Sequence, residues 1–444
     1  MNFVGGYMKV VRRVLPSPLS IAIILTLTTA VLALVFTDAK PEEHSIIRVV
    51  DYWHMGFWTF LEFTMQMMLM LVLGHTIATS KSANGLIKKI TGLCKTNAQS
   101  AIFVTLFSVS AGYLNWGLGL IFGAILARKV GEHAKEKGIP LNYPLIAACG
   151  YTSLMVWHGG FSGSAPLTVN TANHSLVEKM GVLPISETIL SNGNLIAIGC
   201  TLVLLPLFAF FLAKRPFNKS YPKSIKPNAD KTISVFGAEK LDHQPVFGFL
   251  FGFIFISYWV YLWWNMGFSL NFLNLNTINF ILFGLAITIH GSLYKFMKAA
   301  DQAIRGSTGI MIQFPLYAGI MGIMNHSGLL VVFADFFMEV STTKTFPFFA
   351  YVSSAVVNVL VPSGGGQWQV QGPILIEAAS KLNVPFAKTV MALAYGDQIT
   401  NMLQPFWALP LLGITGLKAK DILPYSILFM LVGGTIFLSI LYLF

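Results

Sequence analysis

Residues 157–166 read WHGGFSGSAP and residues 362–368 read PSGGGQW. Each lies inside a long apolar stretch, where a helix crossing a bilayer should be continuous, and each crowds in Gly, Ser and Pro. In hydrocarbon every backbone N–H and C=O has to find a partner, so an interrupted helix at that depth persists only where it is packed in protein or lines a cavity. Interruptions at corresponding places in the two halves of a chain mark a substrate site at the midplane of a transporter.

The composition agrees with a membrane setting. The chain has 444 residues, 55% hydrophobic and 11% charged, and a mean hydropathy of +0.68, outside the range of a soluble domain of this size. Its formal charge of +11 does not point to nucleic acid, because the Lys and Arg residues sit in short segments between apolar runs, as expected of cytoplasmic loops. Cys94, Cys149 and Cys200 are scattered and odd in number, which fits small packing residues and neither a disulfide framework nor a CxxC metal site. Lys9, Arg12 and Arg13 precede an apolar run over 18–36 that is long enough to span, so an uncleaved first helix is expected rather than a signal peptide.

Runs of spanning length cover 18–36, 57–79, 141–165, 189–213, 244–264, 272–293, 307–324, 387–413 and 422–444. Two further regions, 99–127 and 346–380, carry mid-segment breaks (SAGYLNWGLG and VNVLVPSGGGQWQVQGP) and read as re-entrant hairpins. The expected fold is therefore an all-α polytopic membrane protein of about nine transmembrane helices plus two re-entrant hairpins. With both hairpins returning to their own side, all six basic clusters fall in the cytoplasm: 9–13, 81–95, 128–137, 214–240, 295–305 and 418–420. The N-terminus is then cytoplasmic and the C-terminal Phe444 outside.

An internal repeat supports this order. SAGYLN at 110–115 recurs as SSAVVN at 353–358 with an offset of 243, and Tyr151 and Pro166 recur as Tyr395 and Pro410 with an offset of 244. Gln66 and Gln313 pair at a similar offset. The expected organisation is a first membrane repeat over 1–213, a basic cytoplasmic linker with a connecting helix over 214–264, and a second repeat over 265–444. The single connecting crossing inverts the second repeat.

Four elements then meet near the midplane: the first hairpin at Asn115, the broken helix at His158 to Ser164, the second hairpin at Ser363 to Gln367, and a helix from Tyr395 to Pro410. No Lys or Arg lies in the middle of a span, so an anionic substrate has to be met by helix dipoles, backbone N–H groups and hydroxyls. That favours one small carboxylate over a di- or tricarboxylate. The candidate substrate-binding residues are Asn115, Trp116, Trp157, His158, Ser162, Ser164, Ser363, Gly364, Gly365, Gly366 and Gln367, with Trp368 and Trp407 completing an apolar wall. Asp397 lies well inside the run 387–413, where a charge is costly unless it faces protein or water. With Asn358 and Asn401 it is the candidate for coupling an ion, H⁺ or Na⁺. No HExxH, GxSxG, GxxxxGK[ST] or CxxC pattern occurs, so neither an enzyme nor a directly ATP-driven pump is expected, and no cofactor.

The chain resembles the bacterial short-chain fatty acid transporter family in the segments PSPLSIAIILT, NWGLGL, GFSGSAPL, QFPLYAGI, VPSGGGQWQVQGP and YGDQITNMLQPFWALP. GFSGS alone is weak; VPSGGG followed by QGP, with NMLQPFWALP after it, is specific. The resemblance implies symport of short-chain monocarboxylates such as acetoacetate or butyrate with a cation across the inner membrane. It also implies a homodimer and elevator-type movement, as in the ion-coupled organic anion carriers with which the family is grouped. Asn115, Ser162, Ser164, Ser363, Gly364, Gly365, Gly366 and Asp397 fall inside the matching motifs. The rival readings are a carrier of another organic anion or amino acid, a membrane-embedded enzyme using His158 and Asp397, and a passive channel.

Overall fold

A computed structural model describes residues 16–37, 46–80, 89–172, 174, 176–222, 237–267, 275–329, 331–332, 336, 339 and 341–444. The basic cluster at 9–13 and more than half of those at 81–95 and 214–240 lie outside the described residues. The described residues are helical throughout apart from turns and one isolated bridge between Asn142 and Ser220.

The helices fall into recognisable sets. The outer set is α1 (Pro18–Phe36), α2 (Ile46–Phe57) and α3 (Leu61–Thr79). Ser17 caps α1 by accepting from the Ser20 N–H at 3.2 Å, with Pro18 in the first turn. Ile23, Ile24, Leu27, Val31 and Val35 remain exposed, as a face turned to lipid requires. A single 3₁₀ turn, Trp58–Phe60, joins α2 to α3, so that Ile46–Ile77 forms a 32-residue apolar stretch. The second crossing thus begins well before the expected residue 57.

Both expected hairpins form antiparallel helix pairs. The first joins α4 (Asn97–Leu114) to α5 (Trp116–Glu136) through the extended residue Asn115. Its arms are close enough that a Cβ on Gly123 would lie 2.9 Å from Ser108 Oγ. After the first hairpin come α6 (Tyr143–Tyr151), a 3₁₀ turn at Thr152–Met155, turns over 156–163, and the short α7 (Ser164–Val169). Then follow α8 (Asn192–Ala213) and α9 (Pro245–Asn265). The next pair, α10 (Leu275–His290) and α11 (Leu293–Ile304), is bent by 120°. There Gly291 takes φ +70 and Ser292 caps α11. After α12 (Thr308–His326) the second hairpin joins α13 (Phe346–Leu360) to α14 (Gly364–Lys381). It is zipped by Gln371 Nε2 donating to Ser353 Oγ at 2.7 Å and Gln367 Nε2 donating to Ser354 O at 2.9 Å. The chain ends with α15 (Phe386–Thr400), α16 (Pro405–Thr415) and α17 (Ala419–Leu443).

Two expectations are corrected. The glycine triplet 364–366 is not unwound: it forms the first turn of α14, because Ser363 Oγ accepts from the Gly366 N–H at 3.2 Å. The interruption is the residues just before it. The helix expected from Tyr395 to Pro410 is not continuous either. It breaks at Gln404, which is extended (φ -85, ψ 117) because Pro405 follows it.

Among the described residues, five helices are long and apolar enough to cross a bilayer, or six if the bent pair counts as one. The hairpins and broken helices pack inside them. Glycines set the closest approaches: a Cβ on Gly112 of α4 would collide with the Ser153 carbonyl oxygen. A Cβ on Gly396 of α15 would come 3.0 Å from Ala355 N of α13. Ala355 and Gly396 each stand 243 positions after Gly112 and Ser153, so one helix contact occurs in each half.

Candidate functional site

The break between α6 and α7 exposes backbone groups that helices would have paired, and α8 and α15 supply their partners. Gln398 Oε1 accepts from the His158 N–H at 3.0 Å and from the Gly159 N–H at 3.1 Å. Asn194 Nδ2 of α8 donates to the Gly159 carbonyl at 2.8 Å, and the Tyr395 hydroxyl donates to Asn194 Oδ1 at 2.9 Å. In return, the Tyr151 hydroxyl reaches the second break at the carbonyls of Asn401 (2.8 Å) and Gln404 (3.0 Å). Each half thus holds the other's break open. Gln398, Asn194 and Gln404 were not singled out in the sequence; the only trace of Gln398 was a second polar residue beside Asp397 within an apolar run.

His158 and Asp397, 239 positions apart, meet in the core, both fully buried. His158 Nδ1 bonds Asp397 Oδ2. His158 Nε2 accepts from the Ala165 N–H at 3.0 Å, which requires a lone pair on Nε2 and so puts the ring proton on Nδ1. With that placement the Nδ1–H donates to Asp397 Oδ2. Asp397 Oδ1 is buried without a hydrogen-bond partner.

Asn358 sits beside this pair and donates through Nδ2 to Asp397 O (2.6 Å), Thr400 Oγ1 (2.9 Å) and Asn401 Oδ1 (2.9 Å). Gln404 Nε2 bonds the Asn358 carbonyl. These amides tie the second hairpin to the second break. No group of three His, Cys, Asp or Glu side chains suited to a metal ion occurs among the described residues.

The tip of the second hairpin rests on the first break. A Cβ at Gly364 would stand 2.6 Å from Trp157 Cη2 and 2.7 Å from His158 Cε1, whereas one at Gly365 would meet only Ser164, at 3.7 Å. The tip of the first hairpin reaches the same break: the Trp116 N–H donates to Ser162 Oγ at 2.9 Å, while Asn115 Oδ1 accepts from the Leu118 N–H and caps α5. Aromatic rings close the space around them. Trp116 lies 6.2 Å from Trp157 and 5.1 Å from Trp407 between ring centroids, Phe63 lies 6.0 Å from Trp407, and Trp157 stacks on His158 at 4.5 Å. The indole N–H groups of Trp157 and Trp407 are buried without a hydrogen-bond partner.

The structure therefore gathers Trp116, Trp157, His158, Ser162, Ser164, Gly364, Gly365, Trp407 and Asp397 around one locus. Four candidates have other duties. Asn115 and Ser363 are helix caps, Gln367 faces α13 inside the hairpin, and Trp368 lies over Gly372 of its own helix, where an added Cβ would stand 2.8 Å from the indole. Charge is scarce: among the described residues Asp397 and Arg128 are the only buried Asp, Glu, Lys or Arg side chains. Arg128 is engaged elsewhere, with Glu132 at 2.9 Å and the Ile414 carbonyl at 2.6 Å.

Hairpin tips and broken helices packed against helices long and apolar enough to cross a bilayer define a multi-pass membrane protein. The profile of the short chain fatty acid transporter family matches residues 3–444, and the chain belongs to that family. It is 36% identical over 452 residues to a protein of Escherichia coli (strain K12), covering 98% of each. It is 37% identical over 447 residues to one of Haemophilus influenzae (strain ATCC 51907 / DSM 11121 / KW20 / Rd), covering 97% of each. Both relatives bear a provisional name as short-chain fatty acid transporters. Among solved structures the chain is similar to the YdaH transporter of Alcanivorax borkumensis, with 15% identity, 96% of this chain and 97% of that one covered, and a TM-score of 0.41. Membership of a transporter family argues against an enzyme and implies a small-molecule substrate and a place in the membrane.

Proposed function

We propose that the protein is a secondary transporter of small monocarboxylates of the acetoacetate and butyrate class, taking them up across the bacterial inner membrane with a coupled cation. The observation that carries this reading is the first turn of α14, set against the break at Trp157 to Ser164 inside an aromatic wall with no Lys or Arg. The Gly364 and Gly365 N–H groups, the Ser162 and Ser164 hydroxyls and the unpartnered indole N–H groups of Trp157 and Trp407 are donors for one carboxylate. The rings of Trp116, Trp407 and Phe63 suit a short apolar tail. A second carboxylate would lack a counter-charge, which is the basis of discrimination against dicarboxylates.

The reading takes the halves as duplicated and inverted, with nine crossings and two re-entrant hairpins, an order that puts the basic clusters on one side. Alternating access then moves the two hairpins and two breaks against the outer helices, in a homodimer. In proteoliposomes made from the purified protein, labelled acetoacetate uptake is expected to saturate and to be inhibited by butyrate but not by succinate or amino acids. Uptake that does not saturate would indicate a channel. Inhibition by succinate as strong as by butyrate would remove the single-carboxylate reading.

A further inference from the structure

The site as built has no counter-charge for an ionised Asp397. His158 Nε2 accepts from the Ala165 N–H, so the ring proton sits on Nδ1 facing Asp397, and with Asp397 ionised the pair would carry one net negative charge. The one other buried charged side chain among the described residues, Arg128, is bound near the far end of α16, about 14 Å from its start at 1.5 Å per residue. Asp397 Oδ1 is buried and has no donor. Gly364, which opens the α14 turn, packs directly on the imidazole of the same pair. On the reading above, a carboxylate bound at that turn would add a second negative charge beside the first, in surroundings where like charges strongly disfavour each other.

Other titratable groups near the pair do not relieve this. The packed elements bring Tyr351 from α13, Tyr395 from α15 and Tyr151 from α6, and the last two donate their hydroxyl protons to Asn194 and to the Asn401 and Gln404 carbonyls. Glu377 and Lys381 of α14, Lys388 of α15, and Lys420, Asp421 and Tyr442 of α17 stand at or near the ends of their helices. Cys149 and Tyr143 of α6 are buried, and the Tyr143 hydroxyl donates to the Thr415 carbonyl at 2.9 Å.

We propose that the coupled cation is a proton carried by the His158–Asp397 pair. It is taken from water onto Asp397 Oδ1 before the carboxylate binds and released to water after the carboxylate leaves. This deepens the transport reading and rests on it. Protonation turns an acceptor-only carboxylate into a neutral acid with one O–H donor, and so removes the repulsion against the substrate at the α14 turn. One proton then accompanies one monocarboxylate, and no net charge moves.

The test uses the purified full chain in proteoliposomes, with labelled acetoacetate as probe and the flux in protein-free liposomes subtracted. In Na⁺-free buffer, an acidic exterior should speed initial saturable uptake at least tenfold. The rate should be the same when valinomycin and K⁺ clamp the membrane potential at zero or inside-negative. Asp397→Asn should lose the response of uptake to the pH gradient. A luminal pH dye read on the unaltered protein should count one proton per acetoacetate, which serves if the variant does not fold. Uptake that follows a Na⁺ gradient at constant pH, or that changes with the potential, would overturn the proton assignment while leaving the carrier intact. An unaltered protein that catalyses no exchange would overturn the carrier reading itself.

Discussion

Gly364 and Gly365 are adjacent and chemically identical, yet the structure assigns them different tolerances. A methyl group at Gly364 would press into Trp157 and His158, both held by the core, whereas at Gly365 it would reach only an ordinary contact with Ser164. Overpacking at such a place costs about 1–3 kcal/mol and shifts the groups it touches. Gly364→Ala is therefore expected to cut acetoacetate uptake at least tenfold in protein that still purifies from the membrane, and Gly365→Ala to change it less than threefold. Equal effects would show that the hairpin tip does not bear on the first break. The sequence alone gave no way to rank these two, since both sit in one glycine triplet and the distinction comes from what lies across the chain.

At the scale of elements, the broken helices depend on side chains from distant segments. Gln398→Leu would leave the buried N–H groups of His158 and Gly159 without partners, at about 1–3 kcal/mol for each. The purified variant should unfold at a lower temperature than the unaltered protein. A melting temperature that did not move would mean that the break finds other partners. The same dependence explains what could be read in the sequence. Helix interruptions at Asn115, at 157–163 and just before Gly364 were visible because Gly, Pro and cap residues act locally. The break at Gln404 was missed in a run that looked continuous, although Pro405 marks it. The meeting of His158 with Asp397, and the roles of Gln398 and Asn194, link residues more than thirty positions apart, and no local pattern records such pairs.

For the whole molecule, the two halves are interlocked rather than merely adjacent. Tyr151 reaches the second break, Tyr395 reaches the first through Asn194, and Arg128 of the first hairpin and Tyr143 of α6 hold the last carbonyls of α16. Neither half buries its own polar backbone alone. A chain divided within residues 223–236 is expected to give two fragments that are degraded when made singly and recovered as a transport-competent pair when made together. Recovery of either fragment alone as a stable membrane protein would count against interlocking.

The crossed arrangement of the two tyrosines also bears on descent. If the halves arose from one ancestral segment that assembled as a pair, each tyrosine once bonded to a separate copy of its own sequence. A single change then altered both contacts together. On that descent fusion would have freed the two contacts to drift apart, in keeping with Tyr395 working through Asn194 while Tyr151 reaches carbonyls directly. In an aligned set of relatives, positions 194 and 395 should change together. Position 151 should hold a hydroxyl whatever stands at 401 and 404, because its partners there are backbone atoms that every residue possesses.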